Sequence, residues 1–350
     1  MHRKVRAEYV LAILFTIGVV AAGAGALYFF ATMSIHSDAA AVRSTAAGVP
    51  PPQYARAVED ARQLARATVV TDNLPGLSVA IAHDGDIVWA EGFGWADIEQ
   101  RTPVTPVSRF RIGNLGVVFA KAAVDILVDR GRLDLDAPVQ KYVRAFGQKQ
   151  WPVTTRDVIA DHVAVDHRGM PNRHCATIDE AVQVFADDPL LFEPRTQTRY
   201  SMYSWVLASA VIEKAAGQPF FEFVNREVLT PLRMTHTSAD GPAVPDRVSF
   251  YFPRMNMKTQ LGYQAIGGST DYSCYFAAGA FVSTPSDLVA FASHTLRKAD
   301  TYHGSSSGGT SVLIVSPERA LAVAVLSNES YAYGLEPIAL KLADIFAWPK

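Results

Sequence analysis

Two β-rich runs, one near each end of the chain, constrain its fold more than any other feature. In "LSVAIAHDGDIVWAEGFGW", residues 77–95, small and apolar residues flank an Asp84-Gly85 pair. Asp-Gly between two such runs is a strong short-range hairpin signal. "TSVLIVSPERALAVAVLSN", residues 310–328, repeats the form around Pro317-Glu318, and "GLEPIALKLADIFAW" then closes the chain with helical spacing. Residues 54–68 carry Ala, Val and Leu at helical spacing with charges between them, and residues 117 to about 223 read as mostly helical. Strands at both ends with helices inserted predict an α/β (α+β) fold: one antiparallel sheet, helix-covered, carrying an α-helical lobe.

With 350 residues, 49% hydrophobic and 19% charged, the chain can bury one large core or two modest ones. A net charge of −2 and the lack of any Lys/Arg run give no electrostatic footprint for nucleic acid.

Residues 9–33, "YVLAILFTIGVVAAGAGALYFFATM", hold no charge, and about 20 apolar residues suffice to cross a bilayer as a helix. His2, Arg3, Lys4 and Arg6 precede the segment, so the positive-inside bias keeps the basic tail, residues 1–8, cytoplasmic. The rest is then exported, periplasmic or extracellular, on a single-pass anchor in the cell (inner) membrane. A cleaved signal peptide is the competing reading, with an unusually long apolar core. Residues 34–53 are rich in Ala, Ser and Pro and read as a linker, leaving 54–350 as the domain. Export would permit a bridge between Cys175 and Cys274, the only cysteines; two buried thiols are the alternative.

Four blocks of the domain resemble the serine β-lactamase family, the class C enzymes with related D,D-peptidases and esterases: "SRFRIGNLGVVFAKAAVDILV", "RYSMYSWVLASAVIEKAAGQPF", "AAGAFVSTPSDLVAFA" and "YHGSSSGGTSVLIV". The resemblance runs from about Tyr54 to the C-terminus and implies that family's fold. It also implies acyl transfer by a Ser-x-x-Lys helix start, a Tyr-x-Asn on the lobe and a His- or Lys-x-Gly on a strand. The serine attacks, and the lysine one turn later, with the tyrosine, moves the proton. Backbone N–H groups of nucleophile and strand form the oxyanion hole.

This chain departs from that pattern at most positions. Asn114 stands where the serine belongs and Val117 where the lysine belongs. An amide nitrogen is no nucleophile and valine has no proton to exchange. No lysine in the chain has a serine three positions before it; Thr295 and Lys298 are the nearest match. Tyr200 keeps the family position, with a half-buried ring bonded to backbone as its structural reading, while Met202 replaces the asparagine. His303 falls at the strand position as a site-lining residue, with Ser305 in place of the glycine. The connection from Phe291 to His303 is short for the family, so one wall of the cleft is expected to be missing.

Three other features could offer replacement chemistry, and each falls short. Residues 304–308 match G-x-S-x-G, but that elbow needs a following helix and a β-rich run follows here. Lys121, two turns beyond Asn114, is expected to pair with Asp125. His162, His167 and His174, with Asp161 and Asp166, lack a metal-binding spacing, and the Gly-Met-Pro-Asn that follows indicates loop.

The reading that results is a membrane-anchored pseudoenzyme that binds a cell-envelope ligand or membrane protein partner, without cofactor or metal. Its opening helix keeps only a packing role through Ile112, Val118 and Val124. One alternative is an active hydrolase using a non-standard nucleophile such as Ser306 or Ser201; another is a scaffold with a filled cleft.

Overall fold

The computed structural model describes residues 12–25, 35–167, 169, 172–253, 263–265 and 270–347. Residues 12–25 form helix α1. The domain opens with β1 (Ser44–Ala46), α2 (Ala55–Thr71), β2 (Gly76–His83), β3 (Asp86–Asp97), β4 (Thr102–Pro103) and β5 (Phe110–Arg111). A helical lobe follows: α3 (Val117–Asp129), α4 (Thr155–Ile159), α5 (Ile178–Gln183), α6 (Met202–Ala216) and α7 (Phe220–Val224). Four short strands lead out of it, β6 (Ser238–Ala239), β7 (Tyr251–Pro253), β8 (Tyr263–Ala265) and β9 (Phe281–Ser283). The chain ends with α8 (Pro285–Thr295), β10 (Asp300–Ser306), β11 (Gly309–Ser316), β12 (Leu321–Ser327) and α9 (Leu335–Phe346).

The main sheet has the order β1-β3-β2-β12-β11-β10, with β4 paired to β3, and every pairing is antiparallel. Asp84 (φ 53°) and Gly85 (φ 88°) make the two-residue turn between β2 and β3, both in the left-handed region such a turn requires. Pro317 opens one 3-10 turn between β11 and β12.

Side chains alternate across the sheet. Leu77, Val79 and Ile81 of β2 and Val323 and Val325 of β12 join α2 and α9 in one core. Ala80 and Ala82, with Ala322 and Ala324, face the other core, which holds α8 and the lobe. Small residues on this second face let α8 lie close against β2 and β12. The sheet, its covering helices and the lobe expected from sequence are therefore all present, built around two cores.

One feature of the sequence reading changes, and one alternative that it left open is decided. Residues 35–46 are not a free linker: the Ile35 N–H donates to Asn73 Oδ1 at 2.8 Å, His36 stacks on Trp95, Val42 is buried and β1 extends the sheet at β3. A three-residue strand of Ser, Thr and Ala is too short to carry a periodic signal, yet its backbone satisfies an otherwise open edge. The two cysteines form a disulfide, with Cys175 and Cys274 Cα atoms 5.1 Å apart. Of the expected membrane span, residues 9–33, only 12–25 lie among the described residues, where Ile13, Leu14 and Phe15 of α1 are exposed. No helix among the described residues is long and apolar enough to cross a membrane.

Candidate functional site

The site is built where the start of the lobe meets the edge strand of the sheet. β5 pairs with β9 and runs into a 3-10 turn, Gly113–Gly116, that feeds α3. Gly113 has φ +56°, and a Cβ on it would lie 2.4 Å from the Ser305 carbonyl oxygen. A Cβ on Gly304 would lie 1.9 Å from the Ile112 carbonyl oxygen and 2.2 Å from Ser311 Oγ. The turn and β10 thus touch backbone to backbone, a contact only glycine permits. Ser311 Oγ adds a hydrogen bond to the Ile112 carbonyl at 2.9 Å. Gly304→Ala is expected to destabilise the fold by about 3 kcal/mol or more, because backbone on the facing side cannot give way. Equilibrium denaturation checks this, and a change under 1 kcal/mol would contradict the contact.

Asn114 is partly buried at this junction, and its Oδ1 accepts the Ser305 N–H at 3.0 Å. Val117 begins α3 and packs partly buried against the lobe core, beside the fully enclosed Ile112, Val118 and Val124 expected there.

The close approach at Gly304 also corrects the strand motif. The glycine that the packing demands is residue 304, so the X-x-G pattern falls on Tyr302, His303 and Gly304, one residue earlier than the sequence reading placed it. Tyr302 faces the lobe core. His303 points to the other face, exposed, with Nε2 3.9 Å from Glu336 of α9. It does not line the junction, because neighbouring residues of a strand alternate faces. Ser305 is exposed and contributes its backbone amide.

On the lobe, Ser201 is the N-cap of α6 without a side-chain capping bond, and Met202 packs partly buried on the core. Tyr200 reaches the Ala278 carbonyl with its hydroxyl at 3.5 Å. Tyr200 is 43% exposed, and desolvation of its hydroxyl, then the Asp161 carboxylate, hold the phenol well above its usual range. A phenol so placed keeps its proton and is a poor base. Asp161 accepts from Trp205 Nε1 at 2.8 Å, and burial raises its carboxyl.

The Lys121-Asp125 pair is replaced by a different contact. Lys121 is exposed between buried and partly buried neighbours of α3, with Nζ 5.3 Å from the Trp205 ring centroid, a cation–π geometry. Asp125 has its carboxyl raised by burial and by Asp129. The histidines go to separate partners, His167 to Asp188 at 2.6 Å and His174 to Asp271 at 3.1 Å. Among the described residues no group of three metal-ligating side chains forms. Residues 304–308 span the β10–β11 hairpin, where Ser306 Oγ donates to the Gly309 carbonyl at 3.3 Å, so no nucleophile elbow exists there.

Sequence reasoning missed the residue that fixes this junction. Arg111 is 1% exposed and ion-paired through Nε with Asp240 Oδ2 at 2.7 Å. Its Nη1 donates to the Ser307 carbonyl at 2.8 Å and its Nη2 to the Thr270 carbonyl at 3.3 Å. Its guanidinium lies between the Phe250 and Tyr272 rings, 4.0 and 4.5 Å from their centroids. Arg247 pairs with the other oxygen of Asp240 at 2.7 Å, and the Tyr272 hydroxyl accepts the Ser307 N–H at 2.8 Å. The hairpin tip is therefore tied down on the same side as the helix start. The available signal was an arginine between Phe110 and Ile112, two residues that read as core.

A helix start that feeds a helical lobe and is seated on the edge strand of an antiparallel sheet is the arrangement of the β-lactamase-like fold. The β-lactamase family model matches residues 61–302, and the chain belongs to that family. It is 26% identical to the human mitochondrial serine beta-lactamase-like protein LACTB over 68% of this chain and 56% of that one. It is 24% identical to protein flp of Staphylococcus aureus (strain NCTC 8325 / PS 47), over 66% of this chain and 47% of that one. The chain thus spans about half the length of these relatives. Among solved structures it is similar to FmtA from Staphylococcus aureus, with a TM-score of 0.70 at 17% identity over 85% of this chain and 90% of that one. The octameric penicillin-binding protein homologue from Pyrococcus abyssi gives 0.67 at 22% identity, over 82% and 77%.

Proposed function

We propose that this protein is an exported, membrane-anchored member of the family that has given up hydrolysis and binds a cell-envelope ligand or partner. The observation that carries the reading is the Asn114 side chain. An oxyanion hole needs donors free to meet a developing negative oxygen at about 2.7–3.1 Å. The Ser305 N–H, the strand's donor facing the helix start, is engaged at 3.0 Å by the carboxamide oxygen of Asn114 itself. The residue that replaces the nucleophile therefore also acts as an internal ligand for the donor. Val117 leaves no base one turn on, and the phenol of Tyr200, which keeps its proton, adds none. Loss of one nucleophile alone typically costs on the order of a millionfold in kcat. The uncharged stretch of residues 9–33, with its basic flank, supports the anchor and the export.

Acylation tests this directly. The full chain in detergent is expected to form no adduct with a fluorescent penicillin or a fluorophosphonate, and to leave a chromogenic cephalosporin intact. Stoichiometric labelling at any serine, Ser201 and Ser306 included, would overturn the proposal in favour of an active hydrolase. Asn114→Ser with Val117→Lys releases the Ser305 amide and supplies nucleophile and base, so weak labelling is expected from the double variant and none from either single one. A folded double variant that stays unlabelled would favour a scaffold whose cleft has been rebuilt.

A further inference from the structure

Three aromatic side chains stand out from the surface at one end of the main sheet. Phe252, Tyr331 and Tyr333 are 44%, 49% and 64% exposed and touch in series, with centroids 5.7 Å apart from Phe252 to Tyr331 and 6.1 Å from Tyr331 to Tyr333. Single exposed apolar residues are ordinary, whereas a contiguous aromatic cluster marks an interaction surface. The backbone is constrained to present it. Tyr331 has φ +62°, a region unfavourable for a bulky residue, and is held there from both sides. The Ser330 N–H donates to the Tyr251 carbonyl at 3.0 Å, and the Ala332 N–H to Thr310 Oγ1 at 3.1 Å.

The cluster adjoins the point where the chain enters the domain. Ile35 is bonded to Asn73 at 2.8 Å, and the neighbouring Asp72 abuts Gly334, where a Cβ would lie 1.8 Å from its Oδ2. Gly334 directly follows Tyr333. If the membrane span ends at Met33, the single residue Ser34 separates it from Ile35, two chain steps with a reach of at most about 7 Å. The domain then has no slack to float clear of the bilayer, and the end carrying Asn73 and Tyr333 must face it. Tyrosine suits that position, with an apolar ring for the acyl boundary and a hydroxyl for the headgroups.

We propose that Phe252, Tyr331 and Tyr333 seat in the interfacial layer of the lipid bilayer and fix the orientation of the domain on the membrane. This inference rests on the anchor reading of residues 9–33. Both cysteines are held in the disulfide, so an introduced cysteine carries a nitroxide label at one place only. Tyr333→Cys is compared with Lys298→Cys, an exposed position beside Asp300 at the opposite end of β10. In the full chain in phosphatidylcholine nanodiscs, the oxygen-to-nickel-complex accessibility ratio is expected to be several-fold higher at 333 than at 298. Equal ratios in chain retained by the nanodiscs would overturn the proposal and leave the anchor standing. Spin–spin broadening at 333 would overturn it in favour of a second copy on the patch. A chain that the nanodiscs do not retain would overturn the anchor reading, and this proposal with it.

Discussion

Arg111→Met is expected to cost about 3–5 kcal/mol of stability, the usual consequence of removing one partner from a buried ion pair. Asp240 is 3% exposed and would keep only Arg247, while the Ser307 and Thr270 carbonyls would each lose a charged donor. The aromatic rings of Phe250 and Tyr272 would also lose the cation between them. Urea denaturation of the variant measures the cost. Adding Asp240→Leu should recover part of it, because the orphaned carboxylate is then gone and Arg247, 21% exposed, can turn to solvent. A loss below about 1 kcal/mol for Arg111→Met would mean that the cluster is not what joins the hairpin tip to the helix start.

A second large loss is expected on breaking the disulfide. Cys175 and Cys274 are 99 residues apart, and in the chain-entropy account a loop of about 100 residues is worth about 4.7 kcal/mol of constraint on the unfolded chain. Reduction, or replacement of both residues by alanine, is expected to lower stability by about 3–5 kcal/mol. Guanidinium unfolding with and without reductant, on wild type and variant, checks this. Equal midpoints would show that the unfolded chain is already restrained by other means. The bond ties the loop before α5 to the loop before β9, and the Cys175 N–H also donates to Ser273 Oγ at 2.8 Å.

The sheet and its hairpins were legible because their signals are local. Asp84-Gly85 states its turn within two residues, and the runs of β2 and β12 are long enough to show their faces. The substitutions at Asn114, Val117 and Met202 were equally plain, since each sits inside a block with a fixed spacing. What stayed hidden depends on partners distant in the chain. The Arg111-Asp240 pair joins residues 129 apart, and the Asn114 bond to Ser305 joins residues 191 apart. The one-residue error at His303 has the same origin: spacing alone could not tell which residue of β10 needed to be glycine, whereas the carbonyl of Ile112 decides it. Residues 35–46 were misread because composition describes side chains, and this segment binds mainly through its backbone.

The place of β12 in the sheet has a consequence for how the chain reaches its native state. β2 pairs with β12, Leu77 opposite Ser327, so the first long strand made has no completed neighbour on that side until almost the whole chain exists. α2 likewise has to wait for α9 before their shared core closes. Contacts of such long sequence separation slow folding, because loop closure must precede any gain from them. The lobe between them is different, since α3 to α7 are contiguous and pack on one another. The topology therefore predicts an order of assembly, in which the inserted lobe takes shape early and the sheet beside it is sealed last by the C-terminal strand and helix. Throughout that interval β2 presents an unpaired apolar edge, the period when the chain is most prone to association.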